Sequence, residues 1–466
     1  MIKSIPHRDP IFNSSLAALL ISLLFAGPCA SAGQEVSESA SSEALTLRDC
    51  IAIALQESPV LEASRFDVAS AREDARAARS QTLPRLTGSA TAEIFSGSPT
   101  SKFSVVNTGS ATGIGVGSNN VGLGAVEIYS GQLTYPLFKE GSILGLNTAP
   151  AVASRQARTR NLAWTSRLRR EEVIARITDA FITTVSAENR SGFAARRVEL
   201  LDSQVGITEE QEKQGLTLPI DLKLARSQLS GAQTLSKILR QQAVAGKIEM
   251  ARALGLDSPS ELHLSNQLPE APEPPSAEQL LGPSLNQHPS LQVQRAVIDQ
   301  AKEDYRLERF RLYPEVNLSG SAVHIDDFSP SSAEIYTGLV TVTVPIFDFG
   351  AQLATTRARL AKYKAERARL LSVADDVTFE IVTIYQSIYV LSQNILALQQ
   401  EVAKADRDVQ VTGSQQQQGI APPLTAIEKE LHLIAKRDDL DGLQVRRLML
   451  YAALQKAAGG SWKWIQ

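Results

Sequence analysis

The chain is poor in the residues that build a large conventional core or staple a small one. Only 5% of its 466 residues are aromatic. It has two cysteines, Cys29 and Cys50. Cys29 falls in an N-terminal leader, so only Cys50 remains after cleavage and no intrachain disulfide is possible. Histidine is scarce as well. The five lie at positions 7, 263, 288, 324 and 432, without metal-ligand spacing. No metal, cofactor or catalytic residue is therefore expected, and an enzyme is not. The glycine run GIGVGSNNVGLG lies between strands, not before a helix, so it is no phosphate loop; it reads as an outer loop. Excess positive charge is missing too. Lys plus Arg number 47 against 50 Asp plus Glu, a net charge of −3, which excludes a nucleic-acid footprint. Beyond the leader no stretch approaches the ~18 consecutive apolar residues of a membrane helix.

What is present is a leader and a duplication. Residues 1–32 read as a secretory signal. Lys3 and Arg8 precede a short apolar run from Leu16 to Ala26, and Ala30-Ser31-Ala32 fits the cleavage pattern. Cys29 leaves a lipidated N-terminus open as an alternative. Residues 33–44 read as a disordered lead. A helix, a break at Ser58-Pro59 and a second helix up to Pro84 follow. The same order returns with Pro289 and Pro314, each 230 residues later. This internal repeat has to be found before any fold is assigned.

Each repeat continues with two strands. Residues 86–95 alternate Leu86, Gly88, Ala90, Ala92 and Ile94 with Thr87, Ser89, Thr91 and Glu93. That is the period-two pattern of a two-faced strand. Partner strands are expected at about 126–135, 316–325 and 336–344. Tyr129, Leu133 and Tyr135 oppose Ser130, Gln132 and Thr134, and Val340, Val342 and Val344 oppose Thr341 and Thr343. The loop between the first pair, 97–124, is long and Gly/Ser/Asn-rich. The second strand of each repeat ends in a shared phrase, PLFKEG or PIFDFG. Pro136 and Pro345 are expected to stop the ladder, and Gly141 and Gly350 to free the turn into a helix.

Very long polar helices follow, over 151–213 and 351–414. In the second, Val377, Ile381, Ile384, Ile388, Leu391, Ile395, Leu398, Val402, Ala405 and Val409 recur with alternating spacings of four and three. This seam predicts supercoiling against a partner helix. A 60-residue helix of this kind would run ~90 Å. Each ends in a tip, Gly215-Leu216 to Pro219 and Gly419-Ile420 to Pro423, at an offset of 204. Return helices cover 220–254 and 424–456. The first repeat thus spans 45–267 and the second 280–456. A Pro-rich linker at 268–279 joins them, and a tail at 457–466 closes the chain.

Two strands per repeat make four. Four strands cannot close a barrel, and open edges are not tolerated in hydrocarbon. If the sheet lies in lipid, several copies must pool strands, and three copies give twelve. The alternative is a periplasmic β-layer packed on helices. His324 reads as a lumen or interface residue. The long helices carry too much charge for lipid and belong in an aqueous compartment.

The order of elements, the two PxFxxG phrases and the two Gly-x-x-x-Pro tips in register resemble the TolC family of outer-membrane channel proteins. The resemblance covers about residues 45–456. It implies a mainly α protein with a small β part: a homotrimer with a shared twelve-stranded β-barrel in outer-membrane lipid and a periplasmic α-barrel of long hairpins. It implies docking to a periplasmic adaptor and an inner-membrane pump, with no nucleic acid, and export of drugs, metals or proteins. It further implies that acidic residues beyond a tip ring a periplasmic mouth. Asp221 follows the first tip. Thr425 holds the matching place after the second, and Glu428 keeps a negative charge nearby. Each acid has a second reading, as a helix-start residue favoured by the dipole. By the same resemblance Gly215, Leu216, Pro219, Gly419, Ile420 and Pro423 are where adaptor hairpins dock. The other reading of those glycines is a helix C-cap with a local apolar contact. The competing class is a periplasmic adaptor or coiled-coil structural protein, which would show one hairpin rather than two in tandem.

Overall fold

The computed structural model describes residues 44–95, 104–108, 111–115, 124–256, 263–265, 267–269, 272–327 and 333–464. The leader, the lead as far as residue 43 and the fate of Cys29 lie outside them. Residues 44–466 form one unit. It opens with α1 (Leu47–Glu57) and α2 (Pro59–Ser80). Thr46 and Asp49 start α1 reciprocally. The Thr46 N–H donates to Asp49 Oδ2 at 3.0 Å, and the Asp49 N–H donates to Thr46 Oγ1 at 3.4 Å. Pro59 opens α2 because its fixed φ suits a first helical position and it has no N–H to leave unbonded. The second repeat does the same with α5 (Ala277–Gln287) and α6 (Pro289–Phe310).

Two hairpins dominate the unit. The first is α3 (Pro150–Lys213) with α4 (Pro219–Leu254), and the second is α7 (Ala351–Gln417) with α8 (Pro423–Ala457). The 64 residues of α3 span ~96 Å and the 67 of α7 ~100 Å. Val377, Ile381, Ile388, Leu391, Ile395 and Ala405 of the α7 seam are buried. The upper part joins one core cluster with Ile177, Phe181, Ile182 and Val185 of α3, Met250 and Leu254 of α4, and Val445, Leu448 and Leu454 of α8. Full burial of a side chain such as Phe181 contributes ~1.5–3 kcal/mol. Arg190 pairs with Asp438 and Arg196 with Glu430, both at 3.1 Å. These pairs tie α3 to α8 at similar distances from their tips, so the two tips lie at one end.

At the other end a sheet runs β1 (Arg85–Phe95), β4 (Gly124–Lys139), β6 (Glu315–Asp327), β7 (Ala333–Thr343), with a two-residue β5 (Ser142–Ile143) on the end of β4 and every pair antiparallel. Its register sets two faces. Leu86 lies opposite Leu133, Tyr135 opposite Leu318, and Leu318 opposite Val340. On the other face Ser89 meets Ser130, and Ser321 meets Thr337. Alternation alone produces this split, because successive side chains point to opposite sides.

Several expectations change. Pro136 does not end its strand: β4 runs to Lys139 across a register shift between Pro136 and Phe138. A bulge tolerates the missing donor. Within the presumed loop 97–124, β2 (Ser104–Thr108) and β3 (Ala111–Gly115) pair as a hairpin, and β4 already begins at 124. The outer-loop reading of the remaining glycine run falls outside the described residues. Part of the linker is α5, from Ala277. The tail is no free end: Ala458 and Trp464 are buried, and Trp462 packs edge-on against Tyr451 at 5.9 Å. One 18-residue window of α7 is apolar enough, by length and composition, to cross a membrane. The cause is a second apolar stripe, Val382, Tyr389, Val390 and Leu396, which is exposed beside the buried seam.

The two PxFxxG glycines differ in surroundings. Both have left-handed backbone, with φ of 84° at Gly141 and 83° at Gly350. A Cβ at Gly141 would sit 2.6 Å from the Phe310 ring, whereas nothing lies within 4 Å at Gly350. Gly350→Ala should cost ~1–2 kcal/mol of backbone strain alone. Gly141→Ala should add overpacking and cost about 2–4 kcal/mol. Urea melts of the detergent-solubilised variants check this, and equal losses would refute it.

Candidate functional site

The tips are built by helix-end chemistry. At the first, the Gly215 N–H donates to the Glu212 carbonyl at 2.9 Å and the Leu216 N–H to the Gln211 carbonyl at 2.8 Å. The second repeats the pair, from Gly419 to Gln416 at 2.9 Å and from Ile420 to Gln415 at 2.8 Å. This double bond is a Schellman motif, and it needs a left-handed residue. Gly215 and Gly419 supply φ of 72° and 73°. Leu216 and Ile420 then project outward, 72% and 69% exposed. They are not folded into a local apolar contact. Pro219 and Pro423 take the first position of the return helices.

The returns differ in chemistry. Asp221 is the third residue of α4. Its Oδ2 accepts from the Leu218 N–H at 3.2 Å and from the Thr217 hydroxyl at 3.0 Å. Asp221 therefore caps its own helix. At the second tip Pro422 stands where Leu218 stands at the first, and proline has no N–H. A carboxylate at 425 would find no such donor, and Thr425 only donates its backbone N–H to the Pro422 carbonyl at 3.1 Å. Glu428 is the sixth residue of α8, not a first-turn residue as expected, so the helix dipole gives it little. It is exposed, while acids around it are paired: Glu430 with Arg196, Asp408 with Lys429 at 3.8 Å, and Glu401 with Lys436 at 2.6 Å. The Lys436 ammonium bonds Glu401 and holds its carboxyl below the ordinary value. Among the described residues Glu428 has no ion pair.

Further up, Asp441 is buried between α8 and α3. It accepts from Ser186 Oγ at 3.1 Å and Asn189 Nδ2 at 3.2 Å. Burial pushes its carboxyl above the ordinary value. Among the described residues no group of three or more His, Cys, Asp or Glu is set for a metal ion.

The sheet offers the other surface. Its hydroxyl face is cross-linked by Ser89–Ser130 at 2.8 Å and Ser321–Thr337 at 2.6 Å. Its apolar face is bounded at both ends by tyrosine. Tyr129 and Tyr336 donate to Glu127 and Glu334 at 2.8 and 3.1 Å, and Tyr135 donates to the Leu144 carbonyl at 2.7 Å. Six residues of strand, ~20 Å, separate Tyr129 from Tyr135. That approaches the ~25 Å apolar band of a membrane barrel between its aromatic girdles. His324 lies at the rim of this face, 3.9 Å from Glu334, rather than on the hydroxyl face. Two signals were readable yet missed: the proline at 422, which removes the cap donor, and the second α7 stripe at heptad spacing.

The chain thus combines a two-faced sheet with open edges and two co-directional long hairpins. Residues 280–460 match the family described as outer membrane efflux protein. The match covers the second repeat and the short segment after it, less than half of the chain. The pyoverdine export outer membrane protein OpmQ of Pseudomonas aeruginosa is 22% identical over 307 residues, which are 62% of this chain and 62% of that protein. The outer membrane protein VceC of Vibrio cholerae is similar in structure, with a TM-score of 0.71 and 19% identity over 90% of this chain and 97% of that one. The CmeC outer membrane channel of Campylobacter jejuni gives a TM-score of 0.73 and 14% identity, over 94% and 92%. At these identities the structural likeness is one of fold.

The cap geometry carries a prediction. Asp221→Ala should cost ~0.5–2 kcal/mol at the start of α4. Amide hydrogen exchange at Leu218 to Leu222 should quicken. Thr425→Ala should leave exchange at the start of α8 unchanged. Equal acceleration at both tips would show that Asp221 is not the cap.

Proposed function

We propose that three copies of this chain form the exit duct of an export assembly. In this reading the sheets pool into a twelve-stranded barrel in the outer membrane, and the hairpins line a conduit through the periplasm. One observation carries it. The sheet has an apolar and a hydroxyl-bearing face, with a strand edge open on each side. In hydrocarbon such edges have to be paired. The chain assigns itself no catalytic step. It supplies a wall, and cargo passes along Ser, Thr and Gln side chains that bind nothing tightly.

The tips are the docking end. Leu216 and Ile420 are apolar residues held outward by a rigid backbone motif, six per trimer. They suit the hairpin of a periplasmic adaptor, which would bring an inner-membrane pump onto the same axis. Glu428 is the mouth residue in this reading. Three unpaired carboxylates about one axis attract cations and repel one another. Asp221 is left out of the mouth, because its carboxylate is spent on its own helix. One relative is named for pyoverdine export. The generic polar wall of this chain selects no single cargo, so cargo choice falls to the pump.

Planar-bilayer recording tests the duct. The wild-type protein should insert and conduct, with current reduced by divalent cations on the periplasmic side. Glu428→Ala should weaken that block, and Asp221→Ala should not. A protein released as a soluble monomer by osmotic shock would sink the duct. A Glu428→Ala channel blocked like the wild type would remove Glu428 from the mouth.

A further inference from the structure

The two repeats part ways where the sheet passes into the long helices. In the second, Gly350 stands directly before α7, which starts at Ala351. In the first, residues 142–149 separate Gly141 from Pro150 at the start of α3. This added segment is a built structure. It turns back on β4 as a tight hairpin, with Lys139 opposite Ser142 and Phe138 opposite Ile143. Glu140 and Gly141 between them have φ of 49° and 84°, the positive values a two-residue hairpin turn demands. Asn147 braces the loop from inside. Its Oδ1 accepts from the Ile143 N–H at 2.6 Å, and its Nδ2 donates to the Gly141 carbonyl at 2.7 Å. The Leu144 N–H donates to the Leu137 carbonyl and the Leu146 N–H to the Ile143 carbonyl, both at 2.9 Å. A Cβ at Gly145 would lie 2.7 Å from the Thr82 carbonyl oxygen, so the loop sits directly on the turn after α2.

This braced loop holds apolar side chains outward. Ile143 is 54% exposed, Leu144 37% and Leu146 85%. Leu144 has a φ of 51°, left-handed backbone that a leucine adopts only under strain. Strain kept in a well-bonded loop points to a use for its shape. The register says which way the loop faces. Tyr135 lies opposite Leu318 and, across the bulge, Phe138 lies opposite Val316. Val316 is two residues from Leu318 and shares its face, so Phe138 stays on the apolar face with Tyr135. Ile143, opposite Phe138, joins them. The Tyr135 hydroxyl donates to the Leu144 carbonyl at 2.7 Å, which fixes the loop at the level of the tyrosine bounding that face. The loop therefore carries the apolar face past Tyr135, toward the helices.

We propose that Ile143, Leu144 and Leu146 form a finger seated in the periplasmic leaflet of the outer membrane, where phospholipid acyl chains meet their headgroups. There the finger sets the depth at which the sheet sits. This rests on the channel reading and adds a lipid contact below the tyrosine level. The bonding suits that setting. The N–H groups of Ile143, Leu144 and Leu146 and the carbonyls of Gly141, Ile143 and Leu144 all have partners within the protein, as backbone next to hydrocarbon requires. The acid beside the finger is neutralised: Glu140 pairs with Arg311 at 3.1 Å. The finger hangs from β4, which β1 and β6 of the same chain flank, and not from an open edge of the sheet. Lipid, rather than a second copy, is then the occupant that meets it.

A fluorescent label reads the depth. Leu146→Cys in the full-length protein is labelled with nitrobenzoxadiazole and reconstituted into vesicles of phosphatidylethanolamine and phosphatidylglycerol. Native Cys50 is fully buried and its thiol is pushed up to about 12 by that burial, so it stays unlabelled. Lipid carrying a spin label near the headgroup should quench the Leu146 label several-fold more than lipid labelled at the chain end. Aqueous iodide should quench it several-fold less than the same label at Leu216 on a tip. Ile143→Cys should behave alike, and serves as the second reading if the first variant assembles poorly. Leu133→Cys, on the apolar face of the sheet, reports the channel reading independently. Lipid quenching at Leu133 with iodide quenching at Leu146 and Ile143 overturns the finger and leaves the duct standing. Labels at Leu146 and Ile143 shielded from lipid and iodide alike are covered by protein, which also overturns the finger. Iodide quenching at all of these positions overturns both readings.

Discussion

In the proposed duct, an unpaired strand edge in hydrocarbon is the constraint on which the rest of the molecule depends. Every backbone N–H and C=O along such an edge lacks water to replace its missing partner. In that setting the free edges of β1 and β7 have to meet other edges. That requirement reaches down the molecule. Strands that must ring an axis place their helices around the same axis. Helices on a ring have two neighbours each, so each needs two apolar stripes rather than one. The α7 helix has both: one buried against its own chain, and one bare. Its membrane-like hydropathy over one window is a by-product of carrying two seams on a single helix, and its burial pattern gives that hydropathy an aqueous explanation.

Duplication makes this economical. A ring of identical joints can be built from a repeat that recognises itself, whether the two repeats are joined by a peptide linker or not. The inner joint has covalent continuity, so it loses no translational freedom on forming. It carries Arg190–Asp438 and Arg196–Glu430, and a buried acid, Asp441. In the proposed duct an outer joint would form from separate chains. Two of its counterpart positions carry larger apolar residues, Tyr389 for Val185 and Phe66 for Ala296. More apolar area at the open joint is what association needs, since it must offset lost translational freedom that a tethered joint never had.

The fold class was legible because proline and glycine punctuate both repeats at matching places and because strand alternation is a local signal. The extended course of β4 was less so. Whether a strand survives Pro136 depends on whether a bulge can form against β6, which is a matter of the partner. The β2–β3 hairpin reads as loop for a similar reason: its Gly, Ser and Asn residues have weak strand preference, and pairing decides. The packing of the tail was not legible because Trp462 and Trp464 have no periodicity to place them, and Tyr451 on α8 shows where they go. At the tips the residue types were visible but their bonds were not. Asp221 and Glu428 looked alike as acids near a helix start. They part company on a single backbone N–H.

That N–H also explains why the tips are unequal. With Leu218 in the cap position, an acid three residues later has a donor to bind, and its charge is partly neutralised at the helix end. With Pro422 there, the same acid would gain nothing, and the helix starts from the ring's fixed φ instead. Selection for a capping carboxylate is thereby removed from position 425. Negative charge on α8 is left to sites where the helix itself has no use for it. An exposed, unpaired carboxylate such as Glu428 contributes nothing to its own helix by cap or dipole. Its charge is then available to whatever crosses in front of it. The two tips share a backbone, and the proline separates a carboxylate bound into the structure from one left open to solvent.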